Sequence, residues 1–272
     1  MWNHHWHLTG DPFLGAGAPY VRTSGHDEAV ARLAASIESG ERLAVLRAAA
    51  GVGKSAVLAR AAAETKGPHR RFSRVVGPVD GPGMLAGLAA GLGVALPPGA
   101  SRPVAWKALV DAVRLCHWQK TQAVLVVDDC QELEDAADRR DLRRLPHLSP
   151  DPSARLTVIQ TYREPEDGPG PGPDEVPAPT WQLVTRLPCL TQSETLRFVS
   201  EKLAAAGRVD PAFTPRALGR LHDLSGGVPR GIDRLGSLCL MAGALRGLEL
   251  VTPDVVDGVA AECAGPWAGF AA

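Results

Sequence analysis

The stretch that decides the fold is Ala48-Ala49-Ala50-Gly51-Val52-Gly53-Lys54-Ser55, which stands between the apolar run 43–46 and an Ala-rich segment over 56–65. A strand, a tight glycine-containing turn, Lys-Ser and a helix follow in the order that wraps backbone N–H groups around phosphates. The motif G-x-x-x-x-G-K-[ST] expects Gly where this chain has Ala48, the smallest substitute. A glycine-rich turn in another kind of α/β protein is the alternative to a phosphate-binding loop.

Within this loop each side chain has an expected task. Lys54 is placed to reach the outer phosphates of a nucleotide, and the hydroxyl of Ser55 to bind a magnesium ion. The predicted phosphate-binding residues are Ala50, Gly51, Val52, Gly53, Lys54, Ser55 and Ala56.

A second informative stretch, Gln122 to Cys130, reads Q-A-V-L-V-V-D-D-C. Its apolar run is typical of a strand buried on both faces, and acids at the carboxyl end of such a strand lie where open α/β sheets bind ligands. Asp128 would hold magnesium, directly or through water, and Asp129 would orient or deprotonate an attacking water. The alternative is a strand end followed by an Asp that caps a helix.

A third stretch, Arg155 to Arg163, predicts another strand with a polar end. Gln160 or Thr161 could reach a γ-phosphate or its water, and simple strand termination is the alternative. The Pro/Gly-rich, acidic segment 164–179 that follows cannot sustain a helix or a central strand, so we expect an exposed loop. Residues 181–187 predict a last short strand.

Other segments predict an alternation of strands and helices followed by helices alone. Before residue 190 we expect helices over 26–39, 84–92, 101–118 and 131–145 and strands over 43–46 and 70–76. From Thr191 we expect four helices, over 191–206, 214–224, 230–245 and 253–263. This pattern predicts an α/β domain over 1–189 and a small helical domain over 190–272.

Composition narrows the function classes. The chain has 272 residues and a net charge of −1, so no bulk charge points to nucleic acid. The basic group over 139–144 fits a solvated helix face better than a nucleic-acid patch. Five scattered cysteines without a C-x-x-C pair argue against disulfides and zinc and favour a reducing cytoplasm. We expect no membrane span, because no stretch of about 18 apolar residues occurs.

The first residues are rich in Trp and His. His4, His5 and His7 could ligate a transition metal, but mobile terminal histidines lack fixed geometry and supporting hydrogen bonds. An aromatic clamp that packs on the rest of the protein is the preferred interpretation.

Taken in order, these features resemble an AAA+ ATPase. More narrowly, the chain is similar to the general secretion pathway protein A (ExeA) family and to the helper ATPases of transposition. The narrower marks are the end of the N-terminal aromatic stretch at 11–13, the helix containing His26, and the segments 190–195 and 224–233. The resemblance implies a P-loop NTPase with a three-layer parallel-sheet core and a C-terminal all-α lid.

The resemblance also implies roles for single residues. Gly51 to Ser55 would form Walker A, Asp128 and Asp129 Walker B, and Thr161 or Gln160 sensor 1. Arg230 would be sensor 2, contacting the terminal phosphate from the lid. Pro12 and Phe13 align with residues near the adenine in the family. The implied ligands are ATP and Mg²⁺.

Three departures from the family affect the expected chemistry. Ala48 replaces the first Walker A glycine, and Asp129 stands where relatives commonly have Glu, which predicts slow hydrolysis. The segment 164–179 replaces an Arg-rich helix that supplies an arginine finger to a neighbouring subunit, and Arg163 is only a weak substitute.

We therefore expect a cytoplasmic ATP-hydrolysing switch that passes lid motion to a protein partner. The alternative is a nucleotide-dependent module that assembles on DNA or a protein and turns over slowly. A third interpretation, a degenerate domain that binds no nucleotide, requires the four site elements to occur in order by chance. DNA and a second copy of the chain are candidate partners, and the sequence leaves the biological process open.

Overall fold

The computed structural model describes residues 2–13, 20–77, 81–133, 135–148, 151, 153–164 and 183–263. The loop predicted over 164–179 lies outside these residues except for Glu164, as do residues 181 and 182 of the last predicted strand. The chain divides into two compact units. As far as the ranges are described, unit 1 takes in Met1–His26, Ala49–Gly53 and Pro188–Ala272, and unit 2 takes in Asp27–Ala48 and Lys54–Leu187.

This grouping places the described parts of 1–26 and 49–53 with the C-terminal helices. The predicted division into an α/β core over 1–189 and a helical lid over 190–272 stays a prediction.

Unit 2 is built on a five-stranded, all-parallel sheet. Its strands are β1 (Leu43–Ala48), β2 (Arg70–Val76), β3 (Gln122–Asp128), β4 (Leu156–Arg163) and β5 (Leu183–Arg186), in the spatial order β2-β3-β4-β1-β5. Every residue of β3 is buried, as expected for a central strand covered on both faces. The predicted parallel α/β sheet is therefore confirmed.

The register brings the informative strand ends together. β4 lies between β1 and β3, and Thr161 pairs in register with Leu46 while Gln160 pairs with Val127. Because all strands run in parallel, the carboxyl ends of β1, β3 and β4 lie at one edge of the sheet, where open α/β sheets bind ligands.

Helices precede, connect and flank these strands in unit 2. They are most of α2 (Ser24–Ser39), whose first three residues belong to unit 1, together with α3 (Lys54–Glu64), α4 (Gly81–Gly91), α5 (Arg102–Trp118) and α6 (Ala136–Arg144). Buried side chains of α4, α5 and α6, including Leu88, Leu109 and Leu142, share one core with residues of the sheet such as Leu125.

The helix predicted over 131–145 is shorter than expected. The chain first makes a 3-10 turn at Cys130–Glu132, and α6 begins only after Asp135, whose carboxylate accepts a hydrogen bond from the N–H of Ala137. Asp129 has a left-handed backbone, with φ of 56°, which prevents a helix from continuing directly out of β3.

Unit 1 contains the C-terminal helices α7 (Gln192–Ala205), α8 (Pro215–Ser225), α9 (Pro229–Leu245) and α10 (Pro253–Glu262), and a short N-terminal helix, α1 (Trp2–His5). A capping box starts α7, because Thr191 accepts from the N–H of Glu194 and Glu194 accepts from the N–H of Thr191. All four C-terminal helices fall where the sequence predicts them.

The N-terminal aromatic residues pack within unit 1. Trp6 is 1% exposed, and its indole N–H donates to the carbonyl of Leu240 in α9 at 2.7 Å. The aromatic-clamp interpretation thus describes this segment. No group of three or more His, Cys, Asp or Glu in the described ranges is arranged to hold a metal ion.

Among the described helices, none combines the length and the apolar character needed to cross a membrane.

Candidate functional site

The loop between β1 and α3 has the backbone that its glycines permit. Gly51 has φ of +76° and Gly53 φ of +114°, values that L side chains rarely adopt. A Cβ added at Gly51 would lie 2.8 Å from the Cβ of Arg230, and one at Gly53 would lie 2.8 Å from Nε2 of His26. Glycine is therefore required at both positions.

Ala48 explains why the first motif glycine is dispensable. It is the last residue of β1, its backbone is not left-handed, and it is fully buried. Its carbonyl accepts the N–H of Glu164 at 3.0 Å and Nζ of Lys54 at 3.1 Å. A regular strand position accepts Ala as readily as Gly, so the substitution leaves the loop geometry intact.

His26 supports the loop within unit 1. Its Nε2 lies 2.9 Å from the carbonyl oxygen of Val52, and its Nδ1 lies 2.7 Å from the hydroxyl of Thr23. Because a carbonyl can only accept, Nε2 carries a proton. The sequence marked the helix that contains His26 but not this contact, which joins residues 26 positions apart.

Four side chains in unit 2 form what we call the Asp128 cluster: Ser55, Arg74, Asp128 and Thr161. The hydroxyl of Ser55 donates to Oδ2 of Asp128 at 3.0 Å, and the hydroxyl of Thr161 donates to Oδ1. The guanidinium of Arg74 also binds Oδ2 as an ion pair. The cluster thus joins residues from β2, β3, β4 and the start of α3.

Asp128 is held ionised in this cluster. It is 1% exposed, and burial on its own raises the pKa of a carboxyl group. Hydrogen bonds from Thr161, Arg74 and Ser55, with the charge of Arg74, outweigh burial and hold the pKa of Asp128 below its ordinary value.

The oxygen donors of the cluster suit magnesium. Mg²⁺ prefers hard oxygen ligands and is commonly held by one or two carboxylates together with substrate phosphates and water. The Ser55 hydroxyl and the Asp128 carboxylate, 3.0 Å apart, provide such a set at the start of α3.

Asp129 occupies a different environment from Asp128. Its backbone is left-handed, with φ of 56° and ψ of 52°, a conformation that Asp tolerates better than most residues. Its N–H donates to the hydroxyl of Thr161 at 2.9 Å, and its Oδ1 accepts from Nε2 of Gln131 at 3.1 Å.

The contacts separate the two residues that the sequence offered for sensor 1. Thr161 bonds both Asp128 and the N–H of Asp129. Gln160 is fully buried, and its amide donates to the carbonyl of Leu142 while accepting from the hydroxyl of Tyr162. Successive strand residues point to opposite faces, so only one of the pair could meet Asp128.

Arg230 is the second residue of α9, in unit 1. Its backbone N–H donates to the carbonyl of Gly51 at 3.2 Å. Its side chain is exposed, and among the described residues its guanidinium has no hydrogen-bond or ion-pair partner. The structure therefore places the backbone of Arg230 beside Gly51, with its guanidinium exposed.

Pro12 and Phe13 are buried in unit 1. The ring of Phe13 packs where a Cβ on Gly236 of α9 would stand, and the N–H of Phe13 donates to Asp11 at 2.8 Å. The role near an adenine stays a prediction.

Arg163, the weak substitute for an arginine finger, lies at the end of β4. Its guanidinium lies 3.5 Å from a carboxylate oxygen of Glu132, and its N–H donates to Gln131 at 3.0 Å. Its charge is thus shared with an acid of its own unit.

The sequence was compared with protein-family models and with known proteins. No protein-family model matches the chain. General secretion pathway protein A of Aeromonas hydrophila is 37% identical over 76 residues, which are 28% of this chain and 14% of that protein. The predicted resemblance to that protein is confirmed over this stretch, which spans only a small part of the relative.

Solved structures share the fold over most of the chain. The ORC1 protein of Aeropyrum pernix, solved in complex with DNA, has a TM-score of 0.72 at 17% identity, covering 93% of this chain and 68% of that one. Cdc6p of Pyrobaculum aerophilum has a TM-score of 0.70 at 17% identity, with 92% and 70% covered. The RuvB Holliday junction branch migration motor of Thermotoga maritima has a TM-score of 0.56 at 17% identity, with 92% and 72% covered. The chain therefore has the AAA+ fold that its sequence predicts.

Proposed function

We propose that the protein is an ATP-hydrolysing molecular switch. The observation that carries the proposal is the Asp128 cluster, in which Ser55 of the phosphate loop and Thr161 of β4 both bond the buried carboxylate of Asp128. Oxygen atoms are the ligands that Mg²⁺ prefers, and this edge of a parallel sheet is where open α/β sheets bind nucleotides and other ligands.

The chemistry proposed is transfer of the γ-phosphoryl group of ATP to water. Water attacks the γ-phosphorus, the bond to the β–γ bridging oxygen breaks, and ADP and phosphate leave. Asp129 orients the water and accepts its proton, and Lys54 and Arg230 balance charge on the phosphates. Mg²⁺, when bound at Ser55 and Asp128, supplies further charge neutralisation on the phosphate oxygens.

The switch is proposed to act through Arg230. Its backbone already contacts Gly51 of the loop, and its guanidinium is exposed and open to a phosphate partner. Loss of the γ-phosphate would remove that partner and release the helical lid, and the change would pass to a protein partner. We propose a cytoplasmic location, which the scattered, unpaired cysteines support.

The test is phosphate release by purified protein with ATP and Mg²⁺. Lys54→Ala is expected to abolish nucleotide binding and release, whereas Asp129→Asn should keep binding and lower turnover. Lys66→Ala is the matched control, because Lys66 is exposed and lies outside the loop. Unchanged phosphate release in both Lys54→Ala and Asp129→Asn would refute the enzymatic proposal.

A second candidate function is a nucleotide-dependent binding module with little turnover. It is favoured by Asp129, whose carboxylate is short and already accepts a hydrogen bond from Gln131. Such a module would bind DNA or a protein in the ATP state, alone or with further copies of the chain. Single-turnover hydrolysis, compared with ATP-dependent retention on immobilised DNA, separates the two: retention without hydrolysis selects the module.

A further inference from the structure

A basic residue binds the carboxylate that is proposed to hold magnesium. Arg74 lies in β2, two residues before Val76, which pairs in register with Asp128. Its guanidinium forms an ion pair with Oδ2 of Asp128, the same oxygen that accepts the hydroxyl of Ser55 at 3.0 Å. The position that Mg²⁺ would need is therefore contacted by a cation of the chain itself.

The ion pair with Arg74 balances the buried negative charge of Asp128. The Asp128 side chain is 1% exposed, and a buried carboxylate is costly unless a positive charge or several donors accompany it. Among the described residues, Arg74 is the one cation paired with Asp128. The guanidinium balances the buried charge of the carboxylate, whose Oδ2 also accepts the hydroxyl of Ser55.

The side chains of Arg74 and Asp128 differ in how freely they can move. The Arg74 side chain is 38% exposed, so its head group can turn into solvent at modest cost, whereas Asp128 is fixed by Thr161 as well. A guanidinium and Mg²⁺ on one carboxylate oxygen repel each other, because both are positive and close in a poorly solvated place.

We propose that Arg74 is a positioning residue that competes with Mg²⁺ for Oδ2 of Asp128. It preserves the ligand geometry when the metal is not bound, and it leaves Oδ2 when the metal binds with the nucleotide. The inference rests on the proposed function, since it requires a nucleotide whose phosphates complete the magnesium site. It sets the Mg²⁺ concentration at which the site fills.

The test measures metal binding without reference to turnover. Wild type, Arg74→Gln and Arg74→Lys are loaded with the non-hydrolysable ATP analogue AMP-PNP, and free Mn²⁺ is followed by electron paramagnetic resonance. Arg74→Gln should lower the Mn²⁺ concentration at half-saturation about tenfold. This is the change in affinity expected when one competing charge-assisted hydrogen bond is lost. Arg74→Lys, which keeps a charge but loses the planar fork, should fall between wild type and Arg74→Gln.

Arg71→Gln provides the matched control. Arg71 lies on the same strand, and its guanidinium bonds the carbonyl of Leu92 at 3.4 Å instead of Asp128. Its Mn²⁺ half-saturation should equal that of wild type. Equal or weaker Mn²⁺ binding in Arg74→Gln, or in Arg74→Lys if the Gln variant does not fold, overturns the competition.

Nucleotide binding in the presence of Mg²⁺, measured with a fluorescent ATP analogue, separates this inference from the proposed function. If wild type binds no nucleotide, the proposed function fails and the competition fails with it. If wild type binds nucleotide and all variants share one Mn²⁺ half-saturation, only the competition is overturned.

Discussion

The charged groups of the Asp128 cluster in unit 2 and of Arg230 in unit 1 differ in burial and in the number of their hydrogen-bond partners. In the cluster, one buried carboxylate is bonded by Ser55, Arg74 and Thr161. At Arg230 only the backbone is engaged, and the guanidinium is exposed without a partner among the described residues. The carboxylate of Asp128 is thus held by protein side chains, whereas the guanidinium of Arg230 is exposed to solvent.

This difference predicts how each region responds to mutation. Loss of the hydrogen bonds that Ser55 and Thr161 make to Asp128 should lower both the free energy of unfolding and the affinity for ligand, because the same hydrogen bonds serve both. Loss of Arg74 should instead raise the affinity for metal, because it removes the proposed competitor. Changes at Arg230 should alter the response to nucleotide with little effect on stability.

Thr161→Val should have the largest effect on stability. It keeps the shape of the side chain but removes the donor to Asp128 and the acceptor for the N–H of Asp129. The free energy of unfolding, from urea denaturation, should fall by about 2–3 kcal/mol.

The control is Thr185→Val in β5. Thr185 is equally buried, and its hydroxyl has no hydrogen-bond partner in the part of the chain that is described. This change should leave stability the same or raise it. Equal losses in the two variants would show that the hydroxyl of Thr161 contributes nothing special.

Gly53→Ala should have the next largest effect, since it alters the loop that joins the two regions in the chain. Its φ of +114° is unfavourable for Ala, and the new Cβ would lie 2.8 Å from Nε2 of His26. We expect a loss of about 2 kcal/mol in urea denaturation together with weaker nucleotide binding.

Gly67→Ala is the matched change for that experiment. A Cβ at Gly67 meets no atom within 4 Å, and its φ is not positive. It should be neutral or slightly stabilising. A Gly53→Ala variant as stable as Gly67→Ala would contradict the described loop.

Glu194→Gln tests whether unit 1 also contains a carboxylate held like Asp128. Burial raises the pKa of Glu194, but hydrogen bonds from Thr191 and Ser24 outweigh it and lower the pKa from 4.5 to about 2. A lowered pKa means that the ionised group stabilises the fold above pH 4.5 and that this contribution is lost as the pH falls towards 2.

At pH 7 the substitution should cost about 1 kcal/mol, the usual size of a capping interaction. The difference from wild type, followed by denaturation at several pH values, should shrink below pH 4.5. Glu249→Gln, at an exposed carboxylate outside any described contact, should show neither effect. A pH-independent difference for Glu194→Gln would contradict the assigned hydrogen bonds.

Arg230→Ala should have the smallest effect on stability, within about 0.5 kcal/mol of wild type. Its single-turnover hydrolysis should nevertheless slow about tenfold, because the proposed charge-assisted contact to phosphate is lost. Arg216→Ala is a close control, since Arg216 follows Pro215 at the start of α8 as Arg230 follows Pro229 in α9, and it is exposed. Identical rates in both variants would remove Arg230 from the site.

The sequence was sufficient to predict the structural features that depend only on residues adjacent in the chain. The apolar run before Asp128 predicts a buried central strand, and Gly51, Gly53 and Lys54 predict a loop whose backbone is left-handed where glycine permits it. The helix starts at Thr191 and Pro229 are also local, because a cap or a proline acts within one turn.

The contacts between distant residues could not be predicted. The pairing of Arg74 with Asp128 spans 54 positions and depends on the register of β2 against β3. The choice between Gln160 and Thr161 depends on which face of β4 meets Asp128. The sequence pattern does not reveal that face, because both residues are buried in a strand that is covered on both sides. The late start of α6 depends on the left-handed backbone of Asp129.

Binding of ATP by the phosphate loop is the central claim, and an equilibrium titration with a fluorescent ATP analogue tests it most directly. Wild type and Lys66→Ala should bind the analogue saturably at one site per chain, and Lys54→Ala should not bind it. Absence of saturable binding by wild type, or equal affinity in Lys54→Ala, would contradict the account.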